Sequence, residues 1–134
     1  GASTIKLGAL TPTRDLSYVT DTVSGMVAAL DSPQTVGETI NLGSGHEIAM
    51  GALAETIARL MGRKAVIETE QQRLRPQGSE VERLLADNAK ARRLMNWGPA
   101  HAGQAGLERG LEKTIAWFRE PQNLARYRVG GYTV

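Results

Sequence analysis

Arg75 stands directly before Pro76 in the polar stretch Arg73-Leu-Arg-Pro-Gln-Gly-Ser-Glu80. A proline restricts the residue before it to extended conformations, so Arg75 can aim its fork of donors out of a loop. A planar guanidinium suits two phosphate oxygens at once, which makes an anion the first ligand class to consider. A second arginine, Arg14, lies in Arg14-Asp15-Leu-Ser-Tyr-Val-Thr-Asp21. The competing reading is structural: neighbouring acids could engage Arg14, and Arg75 could be a solvated loop residue. Gly43-Ser-Gly45 followed by Glu68 has the look of a dinucleotide fingerprint. Its third glycine should fall at position 48, which is Ile48, so a tight turn is the better reading. His46, in the same loop, has no nearby Ser, Cys or carboxylate in a triad-like pattern and reads as an exposed turn residue. The chain has no cysteine and only two histidines, His46 and His101, so neither a thiol nucleophile nor a transition-metal site is expected.

These residues need a scaffold, and the sequence outlines one. The chain has 134 residues, of which 41% are hydrophobic and 22% charged, values of an ordinary globular domain. That length suffices for a single core burying about two thirds of the unfolded surface. Residues 4–7 and 16–19 are short β-prone runs separated by a turn-rich segment. Asp21 is placed to cap a helix in which Val23, Met26, Val27 and Leu30 share one face. Residues 38–42 read as a strand. The glycine turn then leads into a helix expected to bury Leu53, Ile57, Leu60 and Met61, with Gly62 as its stop. Residues 65–69 are a further strand. Asp87 is a candidate cap for a helix over 88–96, ended by Trp97-Gly98-Pro99, and residues 104–119 form a helix expected to bury Leu107, Leu111, Ile115 and Phe118. The tail, 122–134, reads as an irregular strap. Strands alternating with helices predict an α/β fold, a small sheet with packed helices.

The net charge is only +2, with basic and acidic residues interleaved. No basic stripe or aromatic platform is visible, so nucleic acid is not an expected partner. No run of about 18 apolar residues and no signal-like start is present, which predicts no membrane association and a cytoplasmic location.

Arg14-Asp15-Leu-Ser-Tyr-Val-Thr-Asp21, Asn41-Leu-Gly-Ser-Gly45 and the segment from Arg75-Pro76 to Pro99, in this order, resemble extended short-chain dehydrogenases/reductases of the nucleotide-sugar 4,6-dehydratase/epimerase family. Residues 7–15, 75–84 and 110–118 point to the dehydratase branch. The resemblance covers nearly the whole chain but only the C-terminal, sugar-nucleotide-binding part of such an enzyme. It implies that Arg14 and Arg75 clasp the diphosphate of a nucleotide sugar. Glu80 matches a position near the nucleotide in part of the family; contact with ribose hydroxyls and a plain surface role both stay open for it. In the family the cofactor, NAD or NADP, and a Tyr-x-x-x-Lys pair belong to a preceding Rossmann domain. No such pair occurs in this sequence, and no cofactor is expected to bind these residues. Ala49 also departs from relatives that place Ser or Thr before the following helix, losing a capping hydroxyl.

The expectation is a single domain, 1–134, that corresponds to the nucleotide-sugar-binding domain without its Rossmann partner. It would bind a nucleotide diphosphate sugar weakly or not at all and would be inactive alone. The alternative is a noncatalytic protein that self-associates through surface the Rossmann domain would cover, Ile5, Leu7, Val23 and Met26 among it. A separate Rossmann chain acting in trans is a third possibility.

Overall fold

The computed structural model describes residues 4–127 apart from Arg75, Gln77 and Glu80. It is an α/β arrangement, as the alternation of strand and helix signals requires. Five short strands, β1 (Thr4–Leu7), β2 (Thr13–Asp15), β3 (Glu47–Ala49), β4 (Val66–Thr69) and β5 (Arg83–Leu84), form two small sheets. In one, β1 and β4 run parallel, with Ile5 opposite Ile67. In the other, β2 lies in the centre, antiparallel to β3 and parallel to β5. Five helices accompany them: α1 (Val19–Asp31), α2 (Met50–Leu60), α3 (Ala89–Met95), α4 (Gly103–Arg119) and the single turn α5 (Pro121–Leu124). α2 packs on α4, and α1 on α3. Among the described residues, Ile48, Ala58, Ala91, Trp97 and Leu107 are the buried hydrophobic ones.

Several boundaries differ from the sequence reading, each for a local reason. The strand expected at 16–19 is displaced to β2, where Thr13 and Arg14 find partners on both sides, and α1 starts at Val19. Asp21 is therefore inside the first turn of α1 instead of capping it. Residues 38–42 form no ladder, because no other described strand runs beside them. Asn88, not Asp87, occupies the N-cap position of α3, while the Asp87 carboxylate accepts from the Ala89 N–H at 2.8 Å. α3 ends with Asn96 in the left-handed region at φ 50°, a conformation Asn tolerates better than most residues. Gly62 stops α2 with φ +67°, as its placement after the apolar stripe suggests. Ala49 precedes α2 with extended φ and ψ and without a side-chain cap. Met61 and Phe118, expected inside, lie partly open on the groove between α2 and α4.

α1 carries the shared apolar face that its spacing predicts, and Val23 and Met26 lack cover as expected: Val23, Met26, Val27 and Leu30 point to solvent, with Leu30 87% exposed and Met26 59%. The helix is attached by its polar and small residues instead. Asp21 is 3% exposed; Ser24 Oγ accepts from Trp97 Nε1 at 2.9 Å; Gly25 leaves room for Leu42, whose Cδ1 would lie 2.5 Å from any Cβ there. Of the other two residues expected to lack cover, Ile5 and Leu7 are half-buried in β1. In the tail, Tyr127 packs its ring against Trp117 and Phe118 at the end of α4. Residues 128–134, with Tyr132, lie outside the described residues.

Candidate functional site

The strand β2 carries Arg14 in the middle of its sheet, with Ile48 on one side and Leu84 on the other. Its Nη1 donates to the Thr13 carbonyl at 2.8 Å. The chain that holds Arg75 and Glu80 leaves a 3₁₀ turn, Gln71–Arg73, and returns to the sheet as β5, directly beside Arg14. Arg75 and Glu80 themselves lie outside the described residues, so only the two ends of their loop are defined. At the first end Arg73 Nε donates to Glu70 at 2.5 Å, and the Arg73 carbonyl lies against Gly8, where only a glycine leaves space. At the second end Arg83 clasps Glu47 with Nε to both carboxylate oxygens, at 2.9 and 2.8 Å, and Nη2 to Oε1 at 2.7 Å. Thr13 Oγ1 adds a third donor to Glu47 at 2.7 Å. One carboxylate on β3 thus ties β5 and β2 together.

The Arg83 fork, with the Thr13 hydroxyl, holds the Glu47 carboxyl down to about 2. A depressed folded-state value stabilises the fold above the unfolded carboxylate range, and that contribution disappears as pH falls toward 2. Denaturant titrations at about pH 6 and about pH 3 are expected to show a stability loss on acidification that is smaller in Arg83→Gln. Glu38, Glu70 and Glu108 are lowered as well, by Lys90, by Arg73 and by Gln104 with Arg59, so part of the loss survives in the variant. Equal losses in both proteins would show that Glu47 is not coupled to Arg83 in solution.

Behind Arg14, the next residue does the fastening. Asp15 Oδ1 accepts from the Ser44 N–H at 2.7 Å and its hydroxyl at 2.6 Å, while Oδ2 accepts from the Gly45 N–H at 3.1 Å and the Ala86 N–H at 3.3 Å. Asn88 completes the clamp: its Oδ1 accepts from the Gly43 N–H at 3.0 Å and its Nδ2 donates to the Gly43 carbonyl at 2.8 Å. Neither role was drawn from the sequence, although both residues lie in the quoted motifs. The signals were an acid directly after Arg14 and an Asn ahead of a helix, each facing a glycine loop that a backbone could approach closely.

This clamp settles the glycine loop. A dinucleotide pyrophosphate needs free backbone N–H groups at the start of a helix. Here the N–H groups of Gly43, Ser44 and Gly45 are all engaged by Asn88 and Asp15, and Ile48, at the third-glycine position, is buried in β3. Glu68 is exposed on β4. The loop does not fit NAD or NADP. His46 is half-buried, not fully exposed, and its Nε2 lies 2.9 Å from Gln104 Oε1.

A family model described as GDP-mannose 4,6 dehydratase matches residues 1–110, most of the chain. The chain belongs to the GDP-mannose 4,6 dehydratase family. Within reach of this family it is 34% identical over 112 residues to a UDP-glucuronate 4-epimerase from Thermodesulfobacterium geofontis, covering 82% of the chain and 31% of that relative. Among solved structures, the epimerase Mth375 of Methanothermobacter thermautotrophicus superposes with a TM-score of 0.78 at 32% identity, over 92% of this chain and 35% of that one. A UDP-glucuronic acid 4-epimerase from Bacillus cereus, in complex with UDP-glucuronic acid and NAD, matches with a TM-score of 0.71 at 28% identity, over 87% and 35%. The chain spans about a third of the length of these dehydratase-family relatives. Among the described residues no helix is long and apolar enough to cross a membrane.

Proposed function

We propose that these 134 residues form the nucleotide-sugar-binding portion of a sugar-nucleotide dehydratase or epimerase, and that by themselves they carry out no turnover. The observation behind this reading is the parallel pairing of β5 with Arg14's strand, which sets the chain that follows Arg75 and Glu80, at Arg83 and Leu84, beside Thr13 and Arg14. Two guanidinium groups from separate elements can neutralise a diphosphate that one side chain would not hold in register. Glu80, on the same loop, is then a candidate acceptor for ribose hydroxyls. The hydride chemistry belongs to NAD or NADP held elsewhere, since the glycine loop has no free donors and the sequence has no Tyr-x-x-x-Lys.

The isolated chain is expected to bind a nucleoside diphosphate weakly, through the diphosphate. Replacing Arg14 or Arg75 with Ala removes a charge-assisted contact of about 1.5–3 kcal/mol, roughly ten- to a hundredfold in affinity. Calorimetric titration of uridine, thymidine and guanosine diphosphates into the parent and both variants checks this. Affinity unchanged by either substitution would reject the diphosphate site, and conversion of a nucleotide sugar by the pure chain with added nicotinamide cofactor would reject its inactivity alone.

The exposed stripe of α1 supports a second reading, that of a noncatalytic chain that self-associates. Val19, Val23, Met26, Val27 and Leu30 make a continuous apolar face of the kind soluble proteins cover. On this reading the isolated chain is a homodimer or larger, and Met26→Lys together with Leu30→Lys returns it to monomer. Sedimentation at micromolar concentration that finds the parent chain monomeric would overturn it.

A further inference from the structure

We propose that His101 is a proton-operated switch which decides whether Lys113 is held across the seam between α1 and α4 or released to solvent. The seam is built around one buried carboxylate. Asp21, in the first turn of α1, accepts the His101 backbone N–H on Oδ2 at 2.8 Å and faces His101 Nδ1 with Oδ1 at 3.1 Å. On the far side of the ring, Lys113 Nζ of α4 lies 3.0 Å from Nε2. The Tyr18 ring closes the site, its centroid 4.6 Å from that of His101 and 5.2 Å from Lys113 Nζ. Asp21 and His101 are 3% and 8% exposed, whereas Lys113 reaches water.

The donor inventory fixes the protons. An ammonium has only hydrogens to offer, so the Lys113 contact requires Nε2 to be the acceptor. The ring hydrogen then sits on Nδ1 and is donated to Asp21. Carboxylate, neutral imidazole and ammonium form a chain in which every link joins a donor to an acceptor. A proton added to Nε2 sets donor against donor and one positive charge beside another, while the bond from Nδ1 to Asp21 gains an opposite charge. His101 cannot answer by moving. Its backbone lies directly on Gly106 of α4, and Tyr18 packs on Gly110 one turn further. Lys113, with its end already near solvent, is the member that leaves, giving up both Nε2 and the face of Tyr18.

The charged and titratable groups facing His101 are few. They are Asp21 and Tyr18 from α1 and its N-cap, and Lys113 from α4. Arg109, also on α4, donates to the Ala100 carbonyl at 3.1 Å and lies beside the same loop. Among the described contacts the partner of Nε2 is Lys113 Nζ, which as an ammonium can only donate. The switch therefore re-sorts one contact without dissolving the seam, since both bonds to Asp21 persist.

Nitrogen-detected NMR of the uniformly labelled chain, with His46→Gln to assign the second imidazole, tests this. At about pH 8, His101 is expected to show a protonated Nδ1 and a bare Nε2, with cross-relaxation between the Lys113 ε-methylene and the Tyr18 ring. The solution is then acidified until Nε2 shows its proton. The Lys113–Tyr18 cross-peak is then lost, and the His101 amide stays protected from exchange. In Lys113→Met the side chain carries no charge, and its contact with Tyr18 is expected to be the same at both pH values. A hydrogen on Nε2 at about pH 8, an Nε2 that takes up no proton before the chain unfolds, a Lys113–Tyr18 contact that survives its protonation, or an equal loss of contact in Lys113→Met would each overturn the proposal.

Discussion

Asp15→Ala is expected to remove about 4 kcal/mol of stability, a large part of the roughly 5–15 kcal/mol that holds a domain of this size together. Four donors converge on this carboxylate: the N–H groups of Ser44, Gly45 and Ala86, and the Ser44 hydroxyl. A buried donor left without an acceptor costs about 1–3 kcal/mol, more when the lost partner is charged. Ser44 is buried, so its two donors would bear most of that cost, while the exposed Gly45 can turn to water. Asp15→Asn keeps the shape and one oxygen, and is expected to lose about half as much, because its amide adds donors where only acceptors are wanted. Urea denaturation of the three proteins measures the series. A loss below about 1 kcal/mol for Asp15→Ala would show that the clamp is not formed in solution. The effect reaches the proposed ligand site, since Asp15 fixes the residue before it. Arg14 can face a diphosphate only while its strand is fastened to the glycine loop behind it and to β5 beside it.

Asp15 also shows why the site was only partly legible. It stands in the quoted motif directly after Arg14, but its partners lie 29 to 71 residues away, and no local pattern announces them. Helices were easier to read than strands. The apolar spacing of α2 and α4 and the stop at Gly62 correspond to structure because a helix satisfies its backbone internally. A strand needs a neighbour, and residues 38–42, equally β-prone, have none among the described residues. In α1 the periodicity marked the face, and the exposure of Val23 and Met26 followed from the resemblance and not from the spacing. Apolar residues at i, i+3, i+4 and i+7 define a face, yet they do not say what covers it. Here the attachments to the body run through Asp21, Ser24 and Gly25, residues that hydrophobic patterning passes over.

The same limit applies to small residues on α4, where two glycines one turn apart look interchangeable and are expected to behave oppositely. By helix propensity alone, Gly→Ala inside a helix gains about 1 kcal/mol. At Gly110 a new Cβ would meet the Tyr18 side chain at 3.2 to 3.4 Å, a contact that a small rotation of the ring relieves. Gly110→Ala is therefore expected to lie within about 1 kcal/mol of the parent, propensity and crowding nearly cancelling. At Gly106 the new Cβ would fall onto the carbonyl carbon and oxygen of His101. Backbone cannot rotate away as a side chain does, and this backbone is also held by the bond from the His101 N–H to Asp21. The loop between Trp97 and α4 would have to lift, straining that bond and the ring contact with Tyr18 together. Overpacking of this kind costs about 1–3 kcal/mol and more where backbone must shift, so Gly106→Ala is expected to lose about 3 kcal/mol despite its better propensity. Thermal and urea denaturation of the pair decide it. If both variants prove neutral or stabilising, the loop does not rest on α4 as described, and the close approach of α1, His101 and α4 at this seam is not the arrangement in solution.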